Sequence, residues 1–151
     1  MKVVVQRVRR ASVTVDGSGE TSREVASIGQ GLVALVGFAA QEGLEGSARM
    51  AQRLLHLRIF DDEAGRLNRS LEDVQGELLL IPQVTLTTSL QKGTRPSFHT
   101  AAGPEAAQPL FEALVAAVRT RYPRVQAGVF QAHMVVRLEN DGPVTFVLEE
   151  P

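Results

Sequence analysis

Residues 32–38 read LVALVGF, a continuous apolar run with the length of one strand. Polar residues do not alternate with apolar ones in it, as they would in a strand with one face in solvent. The run therefore predicts a strand that is buried on both faces, and the segments on either side of it define the fold class.

On the N-terminal side, the sequence predicts three further strands. Residues 3–5 and 11–15 are rich in β-branched side chains and partly alternating, so they are two candidate strands separated by the basic segment 7–10. Residues 16–20, DGSGE, predict a turn, and residues 25–28 predict a short strand.

On the C-terminal side, two segments have helical periodicity. Apolar residues recur at helical spacing over residues 44–57 and over residues 105–122. Pro104 can occupy the first turn of the second helix, and Pro123 ends it. Two main helices are therefore predicted.

The remaining segments on this side are strand-like or loops. RIFDDEAGRLN predicts a strand and an acidic turn, and residues 77–86 predict a strand that Pro82 interrupts. Residues 87–104 form a polar loop, and loops of that length within a domain usually carry function. Residues 1–151 are expected to form a single mixed α/β domain with a largely antiparallel sheet. Its last strands are expected at 125–130, 133–139 and 144–149.

Composition limits the chemistry that the chain can perform. The sequence contains no cysteine, which excludes disulfides, thiolate zinc sites, iron–sulfur clusters and cysteine nucleophiles. The formal charge of −1 indicates that a nucleic-acid partner would be held locally rather than by a strongly basic surface. The apolar start is too short for a signal peptide or a membrane span, so a cytoplasmic protein without a membrane partner is expected.

No metal or cofactor site is predicted. His56, His99 and His133 are scattered without paired-ligand spacing, and the carboxylates at 61–63 are typical of a solvated turn. The sequence also lacks a Walker loop, a GxSxG nucleophile elbow and a dinucleotide fingerprint.

Three short polar clusters remain as candidates for function. PQVTL places polar residues at a strand end, although an ordinary amphipathic strand has the same pattern. QKGTRPSFHT could contact phosphate or ribose, or could be an exposed loop without a role. NDGPVT, residues 140–145, has the Asp-Gly pair typical of a hairpin, but Pro143 cannot supply the N–H that closes a two-residue turn.

In combination, these clusters resemble the D-aminoacyl-tRNA deacylase family. Six segments occur in the family's order over the whole chain, which is a far more specific signal than one short motif. They are QRVRRASVTVDG, IGQGLVALVGF, RIFDDEAGRLNRSL, PQVTL, KGTRPSF and NDGPVT. The resemblance implies a compact α/β domain with a barrel-like sheet.

The resemblance also implies an activity and an assembly. Members of the family hydrolyse the ester between a D-amino acid and the 3′-terminal adenosine of tRNA, and they use no cofactor. They work as homodimers with active sites at the subunit interface. Aminoacyl-tRNA and a second copy of this chain are therefore the expected partners, and DNA is not.

The resemblance assigns a role to the proline of NDGPVT. The family's Gly-Pro bond is cis, and its loop reaches into the partner subunit's active site. Gly142 and Pro143 match that pair, which implies a wall of main-chain carbonyls beside the substrate's α-carbon. Such a wall would exclude L-aminoacyl esters and admit D-aminoacyl and glycyl esters. Arg7 matches the arginine that holds this loop.

Other positions match the family's substrate pocket. Gln83 and Thr85 match its catalytic strand. The other matched residues, which are expected to contact the substrate or the tRNA, are Pro82, Val84, Leu86, Arg95, Pro96, Ser97, Phe98, Phe130, Met134 and Asn140.

The resemblance implies catalysis without a covalent intermediate. Thr85 has a hydroxyl group, but the sequence supplies no evident base to activate a threonine nucleophile. Backbone N–H groups would instead polarise the ester carbonyl, and the 2′-hydroxyl of the tRNA would help to activate the attacking water.

Three alternatives stay open at this point. Pro82, Val84 and Gln131 replace the family's usual serine, phenylalanine and glycine, and a related deacylase of mischarged L-alanyl-tRNA has a similar PQ-TL strand. Arg7 and NDGPVT favour the D-specific branch. A non-catalytic RNA-binding module would release no amino acid from D-tyrosyl-tRNA, and a metal-dependent hydrolase would lose activity to a chelator.

Overall fold

The computed structural model describes residues 1–17, 20–91 and 93–150. Within them the chain forms eight strands, two α-helices and one 3-10 helix, Val84–Thr87. The predicted turn at residues 16–20 includes Ser18 and Gly19, which lie outside the described residues, as does Lys92 of the KGTRPSF segment. The strands and α-helices are β1 (Lys2–Gly17), β2 (Glu20–Ile28), β3 (Gly31–Gly37), α1 (Glu45–His56), β4 (Phe60–Asp61), β5 (Leu67–Arg69), β6 (Glu77–Pro82), α2 (Pro104–Arg121), β7 (Val125–Ala127) and β8 (Met134–Glu149).

Strand β3 lies at the centre of the main sheet. It pairs with β1 in antiparallel and with β6 in parallel orientation. Leu32 and Ala34 pack into a cluster that includes buried residues of both α-helices. Val33 faces the opposite side and packs into a second cluster formed by β1, β2 and β6. The prediction of a strand buried on both faces is confirmed.

The sheet is mixed and nearly closes on itself. Its order is β2-β1-β3-β6-β7, and β8 pairs with β1 in antiparallel orientation. The side-chain amide of Gln126 on β7 accepts the Ser27 N–H of β2 at 2.8 Å and donates to the Ser27 carbonyl at 2.6 Å. This amide bridge links the two ends of the sheet. The predicted α/β fold with a barrel-like sheet is confirmed.

The two α-helices cover one face of the sheet. Their bounds differ from the predicted ones by one residue at each end, and Pro104 occupies the first turn of α2 as expected. Met50 and Leu54 of α1 and Leu114 of α2 are fully buried against the residues of β3 and β6. The helices therefore position β3 and β6, whose C-terminal ends carry the candidate site.

Strand β1 is continuous, and the prediction of two strands separated by residues 7–10 is wrong. The basic segment stays in the sheet because its arginines find acidic partners on β8. Arg9 Nε lies 3.2 Å from an Asp141 carboxylate oxygen, and Arg10 Nε lies 2.7 Å from a Glu139 carboxylate oxygen. Opposite charges on adjacent strands stabilise the pairing rather than interrupt it.

NDGPVT is a bulge within one strand, not a hairpin. Asn140 pairs with Val8 and Thr145 pairs with Gln6, so β8 continues along β1 in the same direction on both sides. One residue, Arg7, separates the β1 partners, whereas four residues, 141–144, separate those on β8, so the bulge contains three extra residues. Because there is no hairpin here, no N–H is needed at position 143 to close one, and a proline can occupy it.

Two other predicted strands are shorter than expected. The strand predicted over residues 77–86 ends at Pro82, and residues 84–87 turn into the 3-10 helix instead of continuing the alternation. The strand predicted over residues 125–130 ends at Ala127. Gln131 has a positive φ of 60°, so the chain turns before β8 begins.

Candidate active site

A cavity of about 380 Å³ lies where β3 and β6 end. The start of α2 and the turn between β7 and β8 complete its walls. Most of the lining is apolar, with Gln83, Gln131 and His133 as its larger polar side chains. Cavities of this size and character are typical of small-molecule sites.

The PQVTL segment forms one wall because β3 ends in a glycine. The Gln83 N–H donates to the Val36 carbonyl at 2.7 Å, which extends the β3–β6 pairing by one bond. A Cβ atom at Gly37 would lie 2.7 Å from the Gln83 carbonyl oxygen and 3.0 Å from Leu86 Cβ. Only a residue without a side chain allows this close approach.

Thr85 lies in the exposed first part of the 3-10 helix. The Gln83 amide donates to the Thr85 hydroxyl at 2.5 Å, and the Thr85 carbonyl accepts the Thr88 hydroxyl at 2.7 Å. The Thr87 hydroxyl donates to the Phe38 carbonyl at 3.1 Å and attaches the helix to the end of β3. The first N–H groups of a helix, here those of Val84 and Thr85, have no carbonyl within the helix to reach.

Residues 93–98 of the KGTRPSF segment lie beside this helix rather than in the cavity wall. Ser89 and Ser97 exchange two backbone hydrogen bonds of 2.9 Å, and the Thr100 hydroxyl donates to the Thr87 carbonyl at 2.6 Å. The Ser97 hydroxyl and His99 Nδ1 are 2.7 Å apart. The Phe98 side chain is 54% exposed. This hairpin-like loop therefore presents an apolar side chain to solvent next to the catalytic candidates.

Arg7 of the neighbouring strand β1 fixes the NDGPVT bulge. It is only 6% exposed, and its Nη1 donates to the Ile59 carbonyl at 2.9 Å and to an Asp61 carboxylate oxygen at 3.2 Å. Its Nε donates to the Asp141 carbonyl at 3.2 Å. A surface role for this arginine is therefore ruled out. The planar guanidinium connects β1, β4 and the bulge.

Asn140 shapes the bulge from within. Its amide donates to the Arg7 carbonyl at 2.9 Å and to the Val144 carbonyl at 3.0 Å. The Gly142-Pro143 peptide bond is cis, and Gly142 has a φ of +128°, which L side chains rarely adopt. The bulge thus has a conformation defined by hydrogen bonds at both of its ends.

The structure brings only part of the predicted site together. Pro82, Gln83, Val84, Phe130 and Met134 all line the cavity. The other predicted residues are not among the residues that line it: Arg7, Thr85, Leu86, Arg95, Pro96, Ser97, Phe98, Asn140, Gly142 and Pro143. Within one subunit, the Arg7-anchored bulge and the cavity are therefore separate features.

Sequence reasoning missed two parts of the site. His133 lines the cavity and places its Nε2 atom 3.6 Å from an Asp16 carboxylate oxygen, yet no local motif marks it. Asp61 was assigned to a solvated turn but is bound to Arg7. Its neighbour Asp62 does behave as a turn residue: the Arg66 N–H, with help from the Ala64 N–H and Asn68, lowers the pKa of its carboxyl.

Two kinds of site are absent from the described residues. No group of three or more histidine, cysteine or acidic side chains in residues 1–17, 20–91 and 93–150 is arranged to hold a metal ion. None of the helices in the same residues is both long enough and apolar enough to cross a membrane.

Comparison with known proteins gives consistent results. The family profile described as D-Tyr-tRNA(Tyr) deacylase matches residues 4–149. A D-aminoacyl-tRNA deacylase of Azotobacter vinelandii is 52% identical over 149 residues, which is 99% of either chain. A protein of the same name from Ectopseudomonas mendocina is 50% identical, again over 99% of both chains.

Solved structures share the fold. A structure named c-Myc DNA unwinding element binding protein is 38% identical, with a TM-score of 0.91 over 100% of this chain and 99% of that one. A probable eukaryotic D-amino acid tRNA deacylase is 20% identical, with a TM-score of 0.80 over 97% of each chain, and supports the fold alone. The profile match over nearly all residues and the relatives of about half identity show that this chain belongs to the D-Tyr-tRNA(Tyr) deacylase family.

Proposed function

We propose that this protein hydrolyses the ester bond of D-aminoacyl-tRNA and releases the D-amino acid and free tRNA. The observation that carries the proposal is the Arg7-anchored bulge, which holds a glycine and a proline at the surface in a conformation stabilised by hydrogen bonds at both ends. A hydrolase that distinguishes D from L esters needs a rigid wall beside the α-carbon, and main-chain atoms form such a wall for any amino acid.

The cavity at the ends of β3 and β6 is assigned to the 3′-terminal adenosine. Its volume of about 380 Å³ and its apolar walls suit a purine ring, and Phe130 offers an aromatic face for stacking. The formal charge of −1 supports recognition of the tRNA end rather than broad attraction to its phosphates. Charged tRNA is a cytoplasmic substrate, so we expect the reaction in the cytoplasm.

The active site is assigned to the interface of a homodimer. The cavity and the bulge do not meet within one subunit, whereas a second copy could place its Gly142 and Pro143 over the cavity. Exposed large apolar side chains support association: Val84, which lines the cavity, is 45% exposed, and Leu90 and Phe98 of the following loop are 63% and 54% exposed. Apolar side chains that cluster on a surface commonly mark an interface.

Backbone groups are assigned to catalysis. Val84 lines the cavity, and the N–H groups of Val84 and Thr85 have no partner within the 3-10 helix, so we assign to them the stabilisation of the oxyanion of the tetrahedral intermediate. The 2′-hydroxyl of the tRNA helps to activate water. The Thr85 hydroxyl is bound by the Gln83 amide, which cannot act as a base, so a threonine nucleophile is disfavoured.

Selectivity based on main-chain atoms has two consequences. Glycyl-tRNA, which has no side chain to exclude, should also be cleaved. The enzyme should act on many different D-aminoacyl groups, because the wall contacts the α-carbon and not the rest of the side chain.

A comparison of esters on one tRNA tests this function. We expect rapid release of D-tyrosine, slower or comparable release of glycine and no release of L-tyrosine above the uncatalysed rate. L-alanyl-tRNA is the informative fourth substrate, since rapid cleavage of it would indicate the relaxed-chirality branch suggested by Pro82. Binding of tRNA without release of any amino acid would contradict the enzyme assignment.

A further inference from the structure

We propose that Met134 is an oxidation site through which a peroxide closes the cavity. The chain has three methionines and no cysteine, so methionine is the main sulfur-based target for two-electron oxidants. Met1 is 5% exposed and Met50 is fully buried in the core. Met134 is partly exposed and lines the cavity. It is thus the methionine that a small oxidant can reach.

The surroundings of the sulfur limit how an oxidant can approach it. The Val129 N–H lies 3.4 Å from Met134 Sδ and occupies one lone pair of the sulfur. The main chain of Gly128 is also close, since a Cβ atom there would lie 2.9 Å from Sδ. The turn before β8 therefore crowds the sulfur. Its second lone pair stays available to an oxidant, and because Met134 lines the cavity, the added oxygen becomes part of the cavity wall.

The reaction is the two-electron oxidation of a thioether. The sulfur lone pair attacks one peroxide oxygen, the O–O bond breaks and an S–O bond forms. The sulfur is oxidised to a sulfoxide, and the peroxide is reduced to water or, for an organic peroxide, to an alcohol. No further reductant or cofactor is required, and a methionine sulfoxide reductase can reverse the modification.

The sulfoxide changes the cavity in two ways. It places a strong hydrogen-bond acceptor on a wall that is otherwise apolar, among Val36, Ile81 and Val136. It also takes up volume beside Phe130, where we place the adenine ring. A bound purine that donates no hydrogen bond to this acceptor would leave it unpaired, and burial of an unpaired acceptor lowers affinity by about 10-fold or more. This consequence rests on the proposed function, whereas the site of oxidation does not.

Peptide mapping by mass spectrometry after treatment with hydrogen peroxide tests the site. We expect one added oxygen on Met134 while the folded protein retains unmodified Met50. Adenosine 5′-monophosphate should slow the modification by filling the cavity. Oxidation of Met50 before Met134, or equal rates for the two, would overturn the assignment whether or not the protein is a deacylase.

Kinetics test the consequence. Wild-type enzyme, M134L and M50L are each compared with their own untreated activity on D-tyrosyl-tRNA. Wild type and M50L should lose about 10-fold or more in kcat/KM on oxidation, M134L should lose little, and a methionine sulfoxide reductase should restore wild type. Full activity of protein with a verified Met134 sulfoxide, or equal inactivation of M134L, would refute the proposal that oxidation closes the cavity. An untreated enzyme without activity would instead refute the proposed function and leave the mapping result intact.

Discussion

Gly142 is the residue on which the proposed selectivity most directly depends. A Cβ atom at this position would lie 2.7 Å from Val144 Cγ2, 3.0 Å from the Val144 nitrogen and 3.3 Å from Arg7 Nη2. Its φ of +128° adds backbone strain for any residue with a side chain. A substitution here must therefore move the bulge, the arginine or both.

We expect Gly142→Ala to reduce the preference for D over L esters, or the rate itself, by about 10-fold or more. A loss of about 10-fold corresponds to about 1.4 kcal/mol, which we attribute to the displacement of the bulge. Gly65→Ala is the matched control, because Gly65 also has a positive φ, of +72°, but no atom within 4 Å of its built Cβ. Both variants carry backbone strain, and only the first should change the ratio of D-tyrosine to L-tyrosine release. Unchanged rate and selectivity in Gly142→Ala would show that the bulge is not part of the active site.

Thr85 provides the second prediction at the residue scale. Because the oxyanion donors are assigned to backbone N–H groups, Thr85→Ala should retain measurable hydrolysis, with a decrease of less than about 100-fold, smaller than the loss expected when a nucleophile is removed. Thr120→Ala is a suitable control, since the Thr120 hydroxyl bonds only within α2. Complete loss in a folded variant, together with a trapped acyl-enzyme in wild type, would restore the nucleophile hypothesis.

At the scale of the element, the bulge in β8 is held by a strand that is distant in sequence. Arg7 of β1 connects the Asp141 carbonyl to the Ile59 carbonyl and to Asp61, so three separate segments must be folded before the bulge is fixed. A lysine could form a point contact, but it could not replace the fork of donors.

We therefore expect Arg7→Lys and Arg7→Ala to weaken selectivity. Arg7→Ala should also reduce the free energy of unfolding by about 1–3 kcal/mol, because the carbonyl groups of Ile59 and Asp141 lose their hydrogen-bond donor. Arg9→Lys is the control, because Arg9 is exposed and forms an ion pair with the same Asp141. The D-to-L ratio and the thermal midpoint should be measured for all three. Equal effects of Arg7→Lys and Arg9→Lys would contradict the anchoring role.

These same contacts explain which elements could be predicted from sequence. β3 and the two α-helices are recognisable because their packing requires a periodic or continuous apolar pattern within the element itself. The bulge is not recognisable in this way, since Asp-Gly also begins hairpins and only the pairing of both its flanks with β1 distinguishes the two. The 3-10 helix after Pro82 and the role of Asp61 likewise depend on partners far along the chain, namely Phe38 and Arg7.

At the scale of the whole molecule, one chain carries the two halves of the proposed site without joining them. The cavity lies at the ends of β3 and β6, while the bulge lies on β8, which pairs only with β1 among the described strands. Phe146 and Val147, just beyond the bulge, are 41% and 60% exposed. Exposed apolar side chains on an edge strand favour association with another copy.

A mixture of two impaired variants can test whether the halves of the proposed site come from different subunits. In a heterodimer of a Gly142→Ala chain and a Gln83→Trp chain, whose indole would fill the mouth of the cavity, cross-subunit assembly combines the intact cavity of the first with the intact bulge of the second. One site is then fully wild type and the other carries both changes, so activity per dimer should recover to about half, given independent sites.

Assembly within one subunit gives the opposite result, because every site would then carry one damaging change. Each variant alone, as a homodimer, sets the baseline, and separate affinity tags on the two chains verify that the heterodimer has formed. Activity at that baseline in a verified heterodimer would show that each cavity uses its own bulge. Recovery to about half would require that the wall of main-chain atoms crosses the interface, and the monomer would then possess neither a complete site nor the means to distinguish a D from an L ester.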